Sequence, residues 1–246
     1  MRIATWNCYR GGCLERAEEL RRFTPDLTVL QECARPVASK RSEGRVVWFG
    51  DNPTHGVGVV VRGAFRVAAG PVDASFDHSA FPAVVTGPTQ FNLLAVWALP
   101  RPSYVRSISN ALDVYSAFLK SGPSVVVGDF NCFAGWSGNP PTPRHVKLAH
   151  RLRDEFGLVS AYHAAPRHRA EHGDAPTHFW LWKETNPYHI DFCFVPAAWA
   201  KAIRAVHVEP FSEQAWRSDH RPVIVDLALP PGRRRRALTS VAAATR

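Results

Sequence analysis

At 246 residues, 46% of them hydrophobic and 21% charged, the chain has the length and composition of one large globular unit with ample material for a core. No apolar run approaches the roughly 18 residues that cross a bilayer. The Met1-Arg2 start runs directly into a short strand pattern without a signal-peptide core, so a cytoplasmic protein with no membrane insertion is expected. The net charge of +9 is uneven: Arg233, Arg234, Arg235, Arg236 and Arg246 lie beyond Pro230 with no acid among them. Setting these five aside leaves +4 from the +9, a balance that admits a polyanionic substrate without requiring one.

A strand over 2–7 leads through Gly11-Gly12 into a helix over 13–23, where Leu14, Ala17 and Leu20 share a face. Pro25-Asp26 ends that helix, and residues 27–32 read as a buried strand. A polar loop over 34–44 precedes short strands over 46–50, 57–62, 65–68, 82–86 and 91–98. Val105, Ile108, Leu112, Tyr115 and Leu119 then form the apolar stripe of a second helix over 104–120. A strand over 124–129, a Gly- and Pro-rich loop over 134–143 and a helix over 144–156 follow. Further strands are expected over 178–182, 190–195, 202–209 and 222–229. The order strand, helix, strand ending in a polar group occurs twice, in 2–32 and in 91–131, which suggests two related halves of an α/β chain. No linker splits residues 1–229, and 230–246 reads as a basic, disordered tail.

Five of these segments carry polar groups at the mouth of an apolar strand. They are Trp6-Asn7, Gln31-Glu32, Gly128-Asp129-Phe130-Asn131, Ile190-Asp191 and Ser218-Asp219-His220-Arg221-Pro222. Strand ends of this kind converge at one sheet edge, where ligand sites of α/β proteins form. An unpaired Glu32 there is costly to desolvate, so it needs a cation or hydrogen-bond donors. Asn7, Asp129, Asn131 and Asp219 supply further oxygen ligands or donors. An all-oxygen set suits Mg²⁺, or Mn²⁺ and Ca²⁺, rather than zinc. His220 needs a carboxylate to orient its ring, and Asp191, set inside an apolar strand, is the better partner. Asp219 points away from its neighbour His220 if both lie on a strand, which makes it the better metal candidate. His55, His78, His145, His150, His163, His168, His172 and His207 read as structural or solvated. The five cysteines (8, 13, 33, 132 and 193) contain no C-x-x-C pair and read as small buried side chains in a reducing compartment.

Taken in order, the five motifs resemble the signature of the endonuclease/exonuclease/phosphatase superfamily, the deoxyribonuclease I-like fold, from residue 2 to about 229. The resemblance implies a four-layer α/β/β/α sandwich with two mixed, mainly antiparallel sheets, and divalent-metal-dependent cleavage of phosphate esters. A nuclease acting on nucleic acid is the leading expectation. A phosphatase or phosphodiesterase for a small phosphorylated molecule or lipid head group is the alternative, and a non-catalytic nucleic-acid-binding relic the third reading. By motif, Glu32 is similar to the principal metal ligand, assisted by Asn7 and Asp219. Asn131 would contact the scissile phosphate, Asp129 would orient the attacking water, and His220 with Asp191 would act as base or phosphate stabiliser.

The chain departs from that pattern at several positions. Trp97 stands where many members carry a histidine or tyrosine against the phosphate, and indole transfers no proton at neutral pH. Tyr104 or His178 is the candidate replacement, so Trp97 and His178 count as substrate-binding positions. Tyr9 and His189 stand where abasic-site endonucleases often have an acid and an arginine, which disfavours that activity. Alternation in Phe179-Trp180-Leu181-Trp182 predicts that about half of these side chains face the core, leaving Trp136 or Trp216 as rim contacts for bases. With no exposed apolar hairpin expected, a membrane-bound substrate is disfavoured.

Overall fold

Two strand–helix–strand units organise the computed structural model, which describes residues 1–37, 43–73, 79–132, 143–166, 174–212 and 217–230. In the first, β1 (Arg2–Asn7) and β2 (Leu27–Cys33) pair in parallel across helix α1 (Cys13–Glu19). In the second, β7 (Phe91–Trp97) and β8 (Ser124–Asp129) pair in parallel across α2 (Tyr104–Val114) and α3 (Ser116–Lys120). The repeat read from strand order is therefore present as matched parallel pairs, each inside a six-stranded sheet.

The remaining strands extend both sheets antiparallel. Around β1–β2 lie β3 (Val46–Asn52), β4 (His55–Val61), β13 (Ile203–Val208) and β14 (Val223–Leu227), in the order β13-β14-β1-β2-β4-β3. Around β7–β8 lie β5 (Arg66–Ala69), β6 (Ala80–Thr86), β9 (Leu158–Ser160) and β12 (Asp191–Pro196), in the order β5-β6-β7-β8-β12-β9. Since strand side chains alternate between faces, each buried strand contributes to two layers. Ile3, Val29, Val59, Leu93, Val127 and Val195 meet between the sheets. Leu94, Val126 and Phe194 pack against Ile108 and Leu112 of α2 and Leu148 of α4 (Pro143–Phe156). Trp6, Leu30 and Ile224 pack against Ala17 of α1. This is the α/β/β/α sandwich with two mixed sheets.

Local departures from the expected elements have local causes. The first helix is α-helical only to Glu19 and ends in a 3₁₀ turn, Leu20–Phe23. Its buried face is Cys13, Arg16, Ala17 and Leu20, whereas Leu14 is exposed. The helix expected over 104–120 breaks at Tyr115, although Ile108, Leu112, Tyr115 and Leu119 form one buried stripe across the break. Three short elements had no readable period: β9, helix α5 (Ala161–Ala164) and β11 (Pro187–Tyr188). The strand expected over 178–182 is only β10 (His178–Phe179), pairing with β11 in a separate ribbon. A 3₁₀ turn, Trp180–Trp182, follows it with Leu181 at φ 57° and Trp182 at φ 59°.

That turn overturns two expectations. Phe179 is buried, but Trp180, Leu181 and Trp182 are all exposed, since left-handed residues break the alternation that would have turned half of them inward. The chain thus does present an exposed apolar hairpin. Trp136, Trp216, His78, His168, His172, the arginines at 233–236 and nearly all of the 134–143 loop lie outside the described residues. All five cysteines are buried and free, and burial pushes the thiols of Cys8 and Cys193 up to about 12, so they are neutral packing groups. No helix among the described residues is long and apolar enough to cross a membrane.

Candidate active site

Strand parity brings the site together. Asn7, Asp129 and Asp191 share the alternation of Ile3, Val127 and Cys193, so they emerge on the inter-sheet side where the core strands end. Asp129 and Asp191 are directly paired across β8 and β12, and Trp97 is paired with Asp129 across β7 and β8. Glu32 has the wrong parity for this edge. A register irregularity against β4 between Leu30 and Cys33, together with φ 59° at Glu32, breaks the alternation there. Its half-buried carboxylate then accepts the Asn7 Nδ2 amide at 2.9 Å.

The same Asn7 nitrogen donates to Asp129 Oδ2 at 3.0 Å, so one amide ties Glu32 to Asp129. The Asn7 oxygen accepts the Tyr9 backbone N–H at 3.2 Å. In this arrangement Asn7 faces the carboxylates with its nitrogen, as an organiser of Glu32, rather than with the oxygen a metal ligand would use. Asn131, at φ 47°, clasps Asp129 twice: its backbone N–H donates to Oδ1 at 2.9 Å and its Nδ2 to Oδ2 at 3.0 Å. Beneath the pair, Gly128 sits at φ 144° where a Cβ would lie 2.0 Å from the Val96 carbonyl and 2.9 Å from Gln31 Nε2. The Gly128-Asp129 step is thus glycine-dependent.

His220 completes the line. Its Nδ1 is 2.9 Å from Asp191 Oδ2, and its Nε2 is 4.0 Å from Asp129 Oδ2. Ser218 fixes the loop by donating to the Asn7 carbonyl at 2.7 Å and accepting the His220 backbone N–H at 3.0 Å, while Trp6 Nε1 donates to the His220 carbonyl. Arg221, buried, donates to the carbonyls of Ser218 and His220 and lies over the rings of Phe179 and Phe211. Thr177 Oγ1 accepts the backbone N–H groups of Ile190 and Asp191, holding the start of β12. Sequence reading assigned no role to Ser218, Arg221 or Thr177, because their function is to order backbone around the chemistry.

Electrostatics follows from burial. Desolvation is the largest influence on Asp129 and, with Asp191 nearby, pushes it up to about 7 against the opposing pull of His220 and Asn7. Burial opposes protonation of His220, but the carboxylates of Asp191 and Asp129 outweigh it and raise the ring to about 10. Burial likewise works against Asp219, yet a hydrogen bond from His178 and the charge of His220 hold it below the usual carboxylate range. His178 is buried, with Nε2 3.4 Å from Asp219 Oδ2 and its ring 4.5 Å from that of His220, whereas Tyr104 opens α2 at the surface. Of the two replacements considered for Trp97, His178 is the one against the site. The carboxylate of Glu32 accepts one hydrogen bond among the described residues, and beside it the groups His178–Asp219–His220 and Asp129–Asp191–His220 each bring carboxylate oxygen and imidazole nitrogen within reach of one ion, with no thiolate among them. Carboxylate oxygens of this kind fit a hard divalent cation.

No curated protein matches the chain. Among solved structures, it is similar to a 3′-5′ exonuclease from Neisseria meningitidis, with 21% identity over 92% of this chain and 99% of that one and a TM-score of 0.68. It is also similar to a 3′ phosphatase from Neisseria bound to a product DNA hairpin (23% identity, 93% and 100% covered, TM-score 0.69). An AP endonuclease from Leishmania major has the same fold at 14% identity (93% and 88% covered, TM-score 0.66). At these identities the likeness is one of fold. The sequence match itself runs over residues 4–220, through the first four strand-end motifs and into the fifth as far as His220, and by it the chain belongs to the Endonuclease/Exonuclease/phosphatase family.

Proposed function

We propose that the protein is a divalent-metal-dependent phosphodiesterase that hydrolyses nucleic acid, with Mg²⁺ the natural cation and Mn²⁺ a substitute. The carrying observation is the unbroken line Glu32–Asn7–Asp129–His220–Asp191, which sets a carboxylate for a cation beside a carboxylate-held imidazole. Glu32, with Asp219, would hold the metal, and Asn7 would orient Glu32. When bound, the cation neutralises charge on a phosphate oxygen and on the leaving oxygen.

The other groups act through their own geometry. Asp191 keeps the ring of His220 fixed and protonated, so its Nε2–H, 4.0 Å from Asp129 Oδ2, would serve as a donor to a phosphate oxygen. Asp129, clasped by Asn7 and Asn131, presents Oδ2 toward the same space and receives the proton of the attacking water. Asn131 and His178 contact the phosphate, and Trp97 walls the cleft. A second reading, removal of a terminal phosphate from a nucleic acid, is favoured by the likeness to the 3′ phosphatase.

Incubation of supercoiled plasmid and of labelled RNA with Mg²⁺ tests the proposal. Cleavage should stop in EDTA and slow by at least about 10²-fold in Glu32→Gln. Release of inorganic phosphate from 3′-phosphorylated ends without internal cuts would favour the second reading. Survival of both polymers while a small phosphate ester is hydrolysed would overturn both.

A further inference from the structure

The exposed turn at Trp180–Trp182 is placed beside the reacting groups by the backbone itself. His178 of β10 forms a bridge with His220 on one side and pairs with Tyr188 on the other. The Phe179 N–H donates to the Asp219 carbonyl at 2.8 Å, and the Arg221 N–H donates to the Thr177 carbonyl at 2.6 Å. The ribbon is thereby stitched to the loop that carries His220, and its tip cannot move far from the site.

That tip is apolar and open to solvent: Trp180 is 55% exposed, Leu181 60% and Trp182 41%. Two bulky residues are held in the left-handed region, which side chains of this kind avoid unless surrounding structure imposes it. The tip's own hydrogen bonds impose it, from Trp180 N–H to the Asn186 carbonyl and from Asn186 N–H to the Lys183 carbonyl. The ring of Trp182 stands edge-on to Tyr9 at 5.6 Å, and Tyr9, itself 45% exposed, donates its backbone N–H to the side-chain oxygen of Asn7. Arg10 lies 5.8 Å from the Tyr9 ring centroid, and Lys183 adjoins Trp182. Glu184 is the acid in this turn, set against those two cations. Flat π faces flanked by cations and continuous with the candidate site match a polyanion with unstacked bases.

Resting on the function proposed above, we propose that Tyr9, Trp180 and Trp182 form a stacking platform for unpaired nucleobases next to the scissile phosphate, so that the protein prefers single-stranded or unpaired nucleic acid. Within a duplex the base faces are occupied by their neighbours, and only an unpaired or terminal base offers one to an indole. The Tyr9–Trp182 contact joins the platform to Asn7, and through it to Glu32 and Asp129, so the stacked base would lie beside the reacting phosphate.

The test is fluorescence anisotropy in EDTA, where turnover is absent, with a labelled single strand of about 12 nucleotides and the blunt duplex of the same sequence. Wild-type protein should bind the single strand at least about tenfold more tightly than the duplex. The pair Trp180→Ala/Trp182→Ala should lose at least about tenfold of single-strand affinity, and Trp180→Phe/Trp182→Phe should stay within about threefold of wild type. Circular dichroism melts of both pairs should match wild type, since the side chains are exposed. Equal binding of single strand by the alanine pair, or equal binding of the two nucleic acids by wild type, overturns the proposal. So does binding of phosphatidylserine/phosphatidylcholine vesicles, lost in the alanine pair, with no binding of the oligonucleotide. Plasmid or RNA cleavage by wild-type protein is scored separately, so loss of the strand preference leaves the nuclease reading standing.

Discussion

Asp191 has little to do for the fold that a neutral residue could not do, yet it is fully buried with one oxygen against His220 and the other without a hydrogen-bond partner among the described residues. On the function proposed above, a carboxylate buried at that expense serves through the charge it gives the imidazole. Asp191→Asn should therefore lower kcat by about 10²- to 10⁴-fold with little change in KM, and NMR titration of the His220 ring should move toward the usual histidine range. His145 shows the opposite balance. Burial against Phe192, chiefly, holds its ring neutral and lowers it to about 4 from 6.5. Since the unfolded chain takes up a proton first, the stability it contributes is complete above pH 6.5 and drains away as the pH falls to about 4. The loss is on the order of 3 kcal/mol. Denaturant unfolding at pH 7 and pH 5 should show a difference between the two in wild type that shrinks in His145→Gln.

Among the elements, β8 tolerates little change near its end, because Gly128 lets the strand pass beneath the Val96 carbonyl. Gly128→Ala should cost about 3 kcal/mol or more, or prevent folding, as read by urea denaturation, since the added Cβ meets backbone rather than a flexible side chain. Elements of this kind were legible in advance where one physical rule governs them. The apolar runs at 125–127 and 192–195 and the stripe from Ile108 to Leu119 state their own burial. Asn7, Asp129, Asp191 and His220 could be read because strand ends gather at one edge. Glu32 was readable as a site residue, but not the register irregularity beside it, since a single inserted residue leaves no periodic trace. The turn at Trp180–Trp182 was misread as a strand for a related reason: aromatic residues favour strands, and the left-handed pair that breaks this one is fixed by hydrogen bonds to residues 183 and 186. Ser218 and Thr177 act on distant backbone, which no local pattern announces.

Across the whole molecule, charge and strand order govern behaviour. With a net charge of +9, five units of it beyond Pro230, attraction to a polyanion should weaken steeply with salt. Deleting residues 231–246 should flatten the log–log salt dependence of nucleic-acid affinity by roughly 0.7 to 0.9 for each phosphate that the tail neutralises, with kcat on a short oligonucleotide unchanged. Strand order has a second effect, in time rather than in energy. The first strand made, β1, lies between β2 and β14, so its full hydrogen bonding waits for residues 223–227. Asp191 and His220 are equally late to leave the ribosome, while Glu32 and Asn7 emerge near the start. On the function proposed above, a nascent chain holds Glu32 but still lacks Asp219, the other residue proposed to hold the cation, as well as the Asp191–His220 pair. Under that same proposal a truncated chain would cleave no nucleic acid, because strand order leaves its site incomplete until the last strand, β14, has been made.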